Sequence, residues 1–205
     1  MISNISIHPK TMFKNALNIQ DFSFKNHTST AIIGTNGAGK STLINTILGI
    51  RSDYNFKAQN NNIPYHFKFY QFFHKNCTPN LFEKNLLNKT YEHLSDGQKQ
   101  RLKIDLALSH HPQLIIMDEP ETSLEQNALI RLSNLISLRN TQQLTSIIAT
   151  HDPIVLDSCE WVLLLKNGNI AQYKPLNSIL KSVAKTFNFK EKPTTKDLLA
   201  LLKDI

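Results

Sequence analysis

Eight consecutive residues near the start of the chain combine three glycines with a lysine and a serine. They read Gly34-Thr35-Asn36-Gly37-Ala38-Gly39-Lys40-Ser41 and fit the pattern G-x-x-x-x-G-K-[ST], which binds nucleotide phosphates. Glycines let successive backbone N–H groups converge on phosphate oxygens. We expect a site that extends to Thr42, in which Lys40 reaches the β- and γ-phosphates and the Ser41 hydroxyl ligates Mg²⁺. The helix that begins at Lys40 adds the positive end of its dipole.

A pair of carboxylates follows an apolar stretch in the second half of the chain. Residues 114–117 are Leu-Ile-Ile-Met, and Asp118 and Glu119 come directly after them. We expect Asp118 to hold Mg²⁺ through water, opposite Ser41, and Glu119 to accept a proton from the attacking water. Ligands of open α/β sheets bind beyond the carboxyl ends of the strands, so this pair predicts the second half of a nucleotide site.

A third motif stands 20 residues before Glu119, if Lys99 is counted as its last residue. Leu94-Ser95-Asp96-Gly97-Gln98 is followed by Lys99-Gln100-Arg101 at the start of a helical pattern. Together with the other two motifs, it resembles the signature of ABC-type ATPases, and the resemblance extends over about residues 5–173. It implies that Ser95, Gly97 and Gln98 grip the γ-phosphate of an ATP held by the opposite subunit. Backbone amides and a helix dipole aimed at an anion suit that role.

The same resemblance identifies further candidates. Gln71 is similar to the family's glutamine that contacts Mg²⁺ and water, and His151 to the histidine that contacts the γ-phosphate and orients Glu119. An aromatic side chain that stacks on adenine is expected near the N-terminus, where His8 and Phe13 are both candidates.

The chain departs from the family pattern at three places. Asp96 stands where the family usually has glycine, so an acid lies near the expected γ-phosphate unless its side chain points to solvent. After Pro120 the family commonly shows Ser/Thr, a small residue, Leu and Asp, whereas this chain has Glu121-Thr122-Ser123-Leu124-Glu125. That segment normally bridges two active sites. Only 22 residues separate Gln71 from Leu94, which predicts a helical lobe of about half the usual size.

The elements that position these motifs follow from apolar patterning and turn residues. Buried strands are predicted at residues 30–33, 114–117 and 146–149, and helices at 41–48, 78–90, 98–110 and 124–138. Two strands that pair with each other around an Asn-rich turn are also predicted, at 54–58 and 66–70. A hairpin is predicted at 161–166 and 169–173 around Asn167-Gly168. The fold class is therefore α/β: a P-loop NTPase core with a mostly parallel sheet, an antiparallel β subdomain and a shortened α-helical subdomain.

One domain accounts for the 205 residues, since 40% of them are hydrophobic and 19% charged. We expect a core at about residues 1–75 and 112–173, a reduced helical lobe at about 76–111 and a basic tail at 174–205. The tail ends in an apolar-patterned helix, for which packing on the main domain is the favoured interpretation.

The net charge of +7 favours anionic partners. Since 19 of the 23 basic residues are lysine, sequence-specific binding of nucleic acid is disfavoured. No stretch is long and apolar enough to span a bilayer, no signal peptide is recognised, and two cysteines suit a reducing compartment. These features predict a cytoplasmic protein, peripheral at the inner face of the cell membrane.

The resemblance implies an ATP-hydrolysing subunit that works as a head-to-tail dimer, and we expect its partner to be a second copy of the same chain. Two ATP-Mg²⁺ would be sandwiched between the phosphate loop of one copy and the signature of the other, and separate transmembrane permease subunits would be moved. One alternative is a soluble ABC-type ATPase acting on DNA or ribosomes, although this chain has no coiled-coil insertion and one cassette. The other is a regulatory ATP-binding module with low turnover, which Asp96 and Glu125 suggest.

Overall fold

The structure is a computed structural model that describes residues 5–9, 17–19, 21–48, 54–58, 81, 91–108, 111–187, 189 and 191–203. The strands are β1 (Ile5–Pro9), β2 (Phe22–Phe24), β3 (Ser29–Ile33), β4 (Tyr54–Ala58), β5 (Leu114–Asp118), β6 (Thr145–Ala149), β7 (Trp161–Lys166) and β8 (Asn169–Pro175). The α-helices are α1 (Lys40–Ile47), α2 (Asp96–Leu108), α3 (Gln126–Thr141), α4 (Pro153–Asp157), α5 (Leu176–Thr186) and α6 (Thr195–Lys203), and a 3-10 turn covers Tyr91–His93.

The main sheet has five strands in the order β5-β6-β3-β7-β8. The first four run parallel, and β8 returns antiparallel to β7 through the turn at Asn167 and Gly168. All five residues of both β3 and β6 are buried, as expected for central strands of a parallel sheet that is covered on both faces. The predicted mixed α/β fold with a mostly parallel sheet is confirmed.

A second, antiparallel sheet has the order β2-β1-β4. Its central strand, β1, pairs Ile5 with Phe24 of β2 and with Ala58 of β4. The strand at 54–58 was predicted, but its pairing with β1 was not. The predicted strand at 66–70, Gln71, and all of the predicted helix at 78–90 except Leu81 lie outside the described residues.

The core lies on both faces of the main sheet, and β3 shows how the sequence achieves this. Ala31 and Ile33 pack into one apolar cluster with residues of α3, α4, α5 and α6. Ile32, between them, packs into a second cluster with Leu43 and Ile44 of α1. The alternation follows from the two-residue period of a strand. It fixes α1, and with it the phosphate loop, on one face of the sheet.

The tail is part of the domain. Its terminal helix, α6, buries Leu198 and Leu199 in the same cluster as β3, which agrees with the favoured packing interpretation. A second tail helix, α5, was not predicted; it buries Leu176 and Ile179. No helix within the described ranges is long and apolar enough to cross a membrane.

Candidate active site

The phosphate loop connects the carboxyl end of β3 to the first turn of α1. Gly37 and Gly39 adopt left-handed φ angles of 78° and 102°, which cost glycine little and side-chain-bearing residues more. Gly39 is the N-cap of α1 and supplies no side-chain cap. The first N–H groups of the helix are therefore available to an anion.

The Lys40 side chain folds back onto this loop. Its Nζ donates hydrogen bonds to the carbonyl oxygens of Gly34 and Thr35, both at 3.1 Å. Burial lowers the pKa of Lys40, and the nearby Glu119 and Asp118 carboxylates oppose that shift. The ammonium group thus lies at the loop with bonds that a bound phosphate could replace.

Asp118 ends β5 and meets the start of α1. Its carboxylate accepts a hydrogen bond from the Ser41 side chain. Burial raises the pKa of Asp118, with Glu119 adding to the shift and the Ser41 bond, Lys40 and His151 opposing it. A hydroxyl and a carboxylate brought into contact are hard oxygen ligands of the kind that Mg²⁺ takes, so these two residues fit the ion. Gln71, the third predicted ligand, lies outside the described residues.

Glu119 and His151 come together from the ends of two neighbouring strands. The Glu119 N–H donates to the carbonyl oxygen of Ala149 at 2.9 Å, which continues the pairing of β5 with β6 by one residue. Glu119 then takes a left-handed φ of 46°, a conformation that a residue with a side chain adopts rarely and that is concentrated at functional sites. Its Oε1 lies 3.2 Å from Nε2 of His151, and both side chains are part-exposed.

The third motif forms the N-terminus of α2. Ser95 N–H donates to Oε1 of Gln98 at 3.0 Å, and Gln98 N–H donates to Oγ of Ser95 at 3.3 Å. This reciprocal pair is a capping box, which explains why the helix begins at Asp96. The Asp96 side chain is 87% exposed and lies 3.6 Å from Lys99 Nζ, so it points to solvent.

The structure describes only some of the remaining residues that were predicted to contact the nucleotide. His8 lies on β1 opposite Asn55, and Phe13 lies outside the described residues. Asn36 and Thr35 of the phosphate loop line a cavity of about 430 Å³ together with His151. Helix α6 supplies the other wall of this cavity through Leu199, Leu202 and Lys203.

The sequence analysis predicted neither the cavity wall that α6 forms nor the contacts of Glu121. Oε1 of Glu121 accepts hydrogen bonds from the Thr150 hydroxyl and from the His151 N–H, each at 2.7 Å. The available signal was the acid itself, which stands where the related family commonly has Ser or Thr. The contact with α6 had no signal in the sequence, because it depends on how the tail returns across the sheet.

Known sequences show the family to which the chain is related. The sequence profile of the ABC transporter family matches residues 17–78 and 67–122. The ABC transporter ATP-binding protein YxdL of Bacillus subtilis (strain 168) is 28% identical over 200 aligned positions, covering 76% of this chain and 78% of the relative.

Two solved structures show the likeness of fold. An ATP-binding subunit of an ABC transporter is similar with a TM-score of 0.74 at 20% identity, covering 98% of this chain and 99% of that chain. A dimeric post-hydrolysis state of the ATP-binding cassette MJ0796, bound to ADP and Pi, has a TM-score of 0.65 at 21% identity and covers 86% and 99%.

Proposed function

The chain belongs to the ABC transporter family as an ATPase subunit, and on this premise we propose that two copies sandwich two ATP-Mg²⁺ and drive separate membrane-spanning subunits. One observation carries the proposal. The Glu119 carboxylate lies 3.2 Å from the His151 imidazole, and Asp118, beside it, is bonded to Ser41 at the phosphate loop. A base, a partner for the base and a metal-binding pair therefore meet beyond the carboxyl ends of parallel strands, where α/β proteins bind nucleotides.

Nucleotide binding uses the loop from Gly34 to Thr42. The phosphates accept hydrogen bonds from the loop N–H groups, and Lys40 exchanges its bonds to the Gly34 and Thr35 carbonyls for bonds to phosphate oxygens. Ser41 and Asp118 would hold Mg²⁺, with Gln71 as a third ligand. The ion supplies positive charge that neutralises the β- and γ-phosphates.

Hydrolysis depends on Glu119 as general base. Its carboxylate accepts a proton from the water that attacks the γ-phosphorus, and ADP leaves as the bond to the γ-phosphate breaks. His151 holds the same carboxylate through Nε2 and so limits the directions in which it can accept that proton.

The second copy completes the site with the N-terminus of α2. Ser95 Oγ accepts from the Gln98 N–H, which leaves its own O–H free to donate to a γ-phosphate of the first copy. The N–H groups of the first helical turn, including that of Gly97, add donors and the positive end of the dipole. The exposure of Asp96 and its contact with Lys99 reduce its repulsion of that phosphate, which weakens the case for a low-turnover module.

Membrane coupling rests on family membership. We propose transmembrane permease subunits as separate chains, a homodimer of this chain and a peripheral position at the inner face of the cell membrane. The shortened segment at 76–111 would dock the membrane partner through a smaller surface than usual. The lysines of the tail, which outnumber its acids seven to three, suit anionic headgroups, and we expect no sequence-specific nucleic acid.

A Glu119→Gln variant tests this function. We expect wild-type protein, with its membrane subunits, to hydrolyse ATP, and the variant to lose turnover by at least about 100-fold while it keeps ATP and forms a stable dimer. Glu160→Gln is the matched control, because Glu160 is an exposed acid at the opposite end of the sheet. Wild-type protein without turnover in the presence of its membrane subunits would contradict the proposal. Stimulation of turnover by ribosomes or DNA, and not by membranes, would favour the soluble alternative.

A further inference from the structure

Glu121 connects the two loops that carry Glu119 and His151. One of its oxygens, Oε1, accepts both the Thr150 O–H and the His151 N–H at 2.7 Å. These short bonds to a carboxylate are charge-assisted and therefore stronger than bonds between neutral groups. The loop after β5 is thus tied to the first two residues after β6.

The network continues from Glu121 into α4. Thr150 is fully buried, and its Oγ accepts from the Asp152 N–H at 3.1 Å. Asp152 in turn caps α4 by accepting from the N–H groups of Ile154 and Val155. The backbone of His151 is consequently held on both sides, by Glu121 before it and by the helix cap after it.

This support matters for His151 because 37% of its side-chain surface is exposed, so the surrounding protein covers only part of it. Glu119 holds the imidazole at Nε2, whereas Glu121 holds the backbone N–H of the same residue. Because Glu121 holds the backbone N–H and Glu119 holds Nε2, rotation of the imidazole about its side-chain bonds is restricted. The side-chain oxygen of a Ser or Thr at position 121 would stand two bonds closer to the backbone than the carboxylate oxygens of Glu, and would reach these two donors only if the loops moved closer.

Glu121 gains this contact at a cost. Its other oxygen, Oε2, is buried and has no hydrogen-bond partner among the residues that the structure describes. A buried unpaired carboxylate oxygen opposes folding. A residue chosen for stability alone would not have that feature.

We propose that Glu121 is a positioning residue for ATP hydrolysis, which sets the distance and direction of the His151 imidazole relative to Glu119. This inference rests on the proposed function. Glu121 itself touches no substrate. Its removal should therefore slow the chemical step and leave nucleotide binding intact.

The test compares Glu121→Ala with Glu121→Gln, using the full chain with its membrane subunits. We expect kcat of Glu121→Ala to fall by about 10- to 100-fold, since small displacements in a site cost that much, with the Kd for MgATP unchanged. Glu121→Gln keeps an accepting oxygen at the same place and should recover most of the rate. Glu160→Ala, an exposed acid far along the sheet, serves as the control.

Two results would overturn the inference. One is an Ala variant that hydrolyses ATP at the wild-type rate, or that loses MgATP affinity and unfolding temperature in step with kcat, which indicates a structural role. The other is a Gln variant as slow as the Ala variant. If the Ala variant does not fold, the Gln variant and Glu121→Thr decide, because the inference requires Gln to be faster than Thr. Failure of the proposed function looks different, since wild-type protein would then show no turnover.

Discussion

The carbonyl oxygen of Ser123 lies against the α-carbon of Gly97, only 2.5 Å from the point where a β-carbon on Gly97 would stand. Gly97 is in the first turn of α2, and Ser123 is in the loop that follows Glu119. Gln100 ties the same two segments by donating to the Pro120 carbonyl at 3.2 Å. The N-terminus of α2 is therefore held in place by the loop that follows Glu119.

Replacing Gly97 with alanine should displace that loop. An alanine for glycine in a helix normally stabilises by about 1 kcal/mol, but a β-carbon at this distance from a backbone atom should reverse the sign and destabilise by about 1–3 kcal/mol. ATP turnover should fall as well, because Glu119 lies four residues before Ser123. Urea unfolding and steady-state hydrolysis measure the two effects. Asp96→Ala, one residue earlier and exposed, is the control. A Gly97→Ala variant more stable than wild type would refute the close contact.

Substitutions of Ser95 should separate its two roles. Ser95→Ala removes the side-chain oxygen that accepts from Gln98 and should cost about 1 kcal/mol of stability. Ser95→Asp keeps a good N-cap and should keep the stability, but it places a negative charge against the partner's γ-phosphate. We expect both variants, made in the Glu119→Gln background, to lose the ATP-dependent dimer in size-exclusion chromatography. A stable dimer of the Asp variant would exclude contact between Ser95 and phosphate.

The residues that sequence reasoning placed correctly are those with a local signal. The apolar strands β3 and β6 and the phosphate loop follow from patterns within a few residues. The start of α3 was predicted two residues early, at Leu124, since its apolar side chain continues the helical pattern. In the structure Glu125 is still extended, with φ −74° and ψ 158°, and the helix begins after it.

The parts that were missed depend on the order of strands in space. Glu121 reaches Thr150 only because β5 and β6 are neighbouring strands. No spacing of residues in the sequence predicts that pairing. Helix α5 had a signal in Leu176, Ile179 and Leu180, but the lysines of the tail make its apolar pattern less evident. In the structure, its apolar face packs into the core cluster on one face of the main sheet.

Helix α6, which lines the cavity beside His151, begins with its own reciprocal cap. The N–H and the hydroxyl of Thr194 donate to Oδ2 of Asp197 at 2.8 and 2.7 Å, and the Asp197 N–H donates to the Thr194 hydroxyl at 3.3 Å. The bond from the Thr194 backbone, followed by that from its side chain, holds the pKa of Asp197 below its usual range. The ionised carboxylate is therefore favoured in the folded state.

Acid should release this cap. A carboxyl group whose pKa is depressed by folding contributes stability above its unfolded pKa of about 4, and that contribution is lost as the pH falls through the lower, folded pKa. We expect Asp197→Asn to unfold at a lower temperature than wild type at about pH 7, and the difference to shrink below about pH 4. Protection of the α6 amides against hydrogen exchange, measured relative to their intrinsic exchange rates, should fall in wild type over the same acidic range. Glu191→Gln, an exposed acid just before α6, controls for net charge. A gap between wild type and Asp197→Asn that stays constant with pH would show that the Asp197 charge does not support the helix.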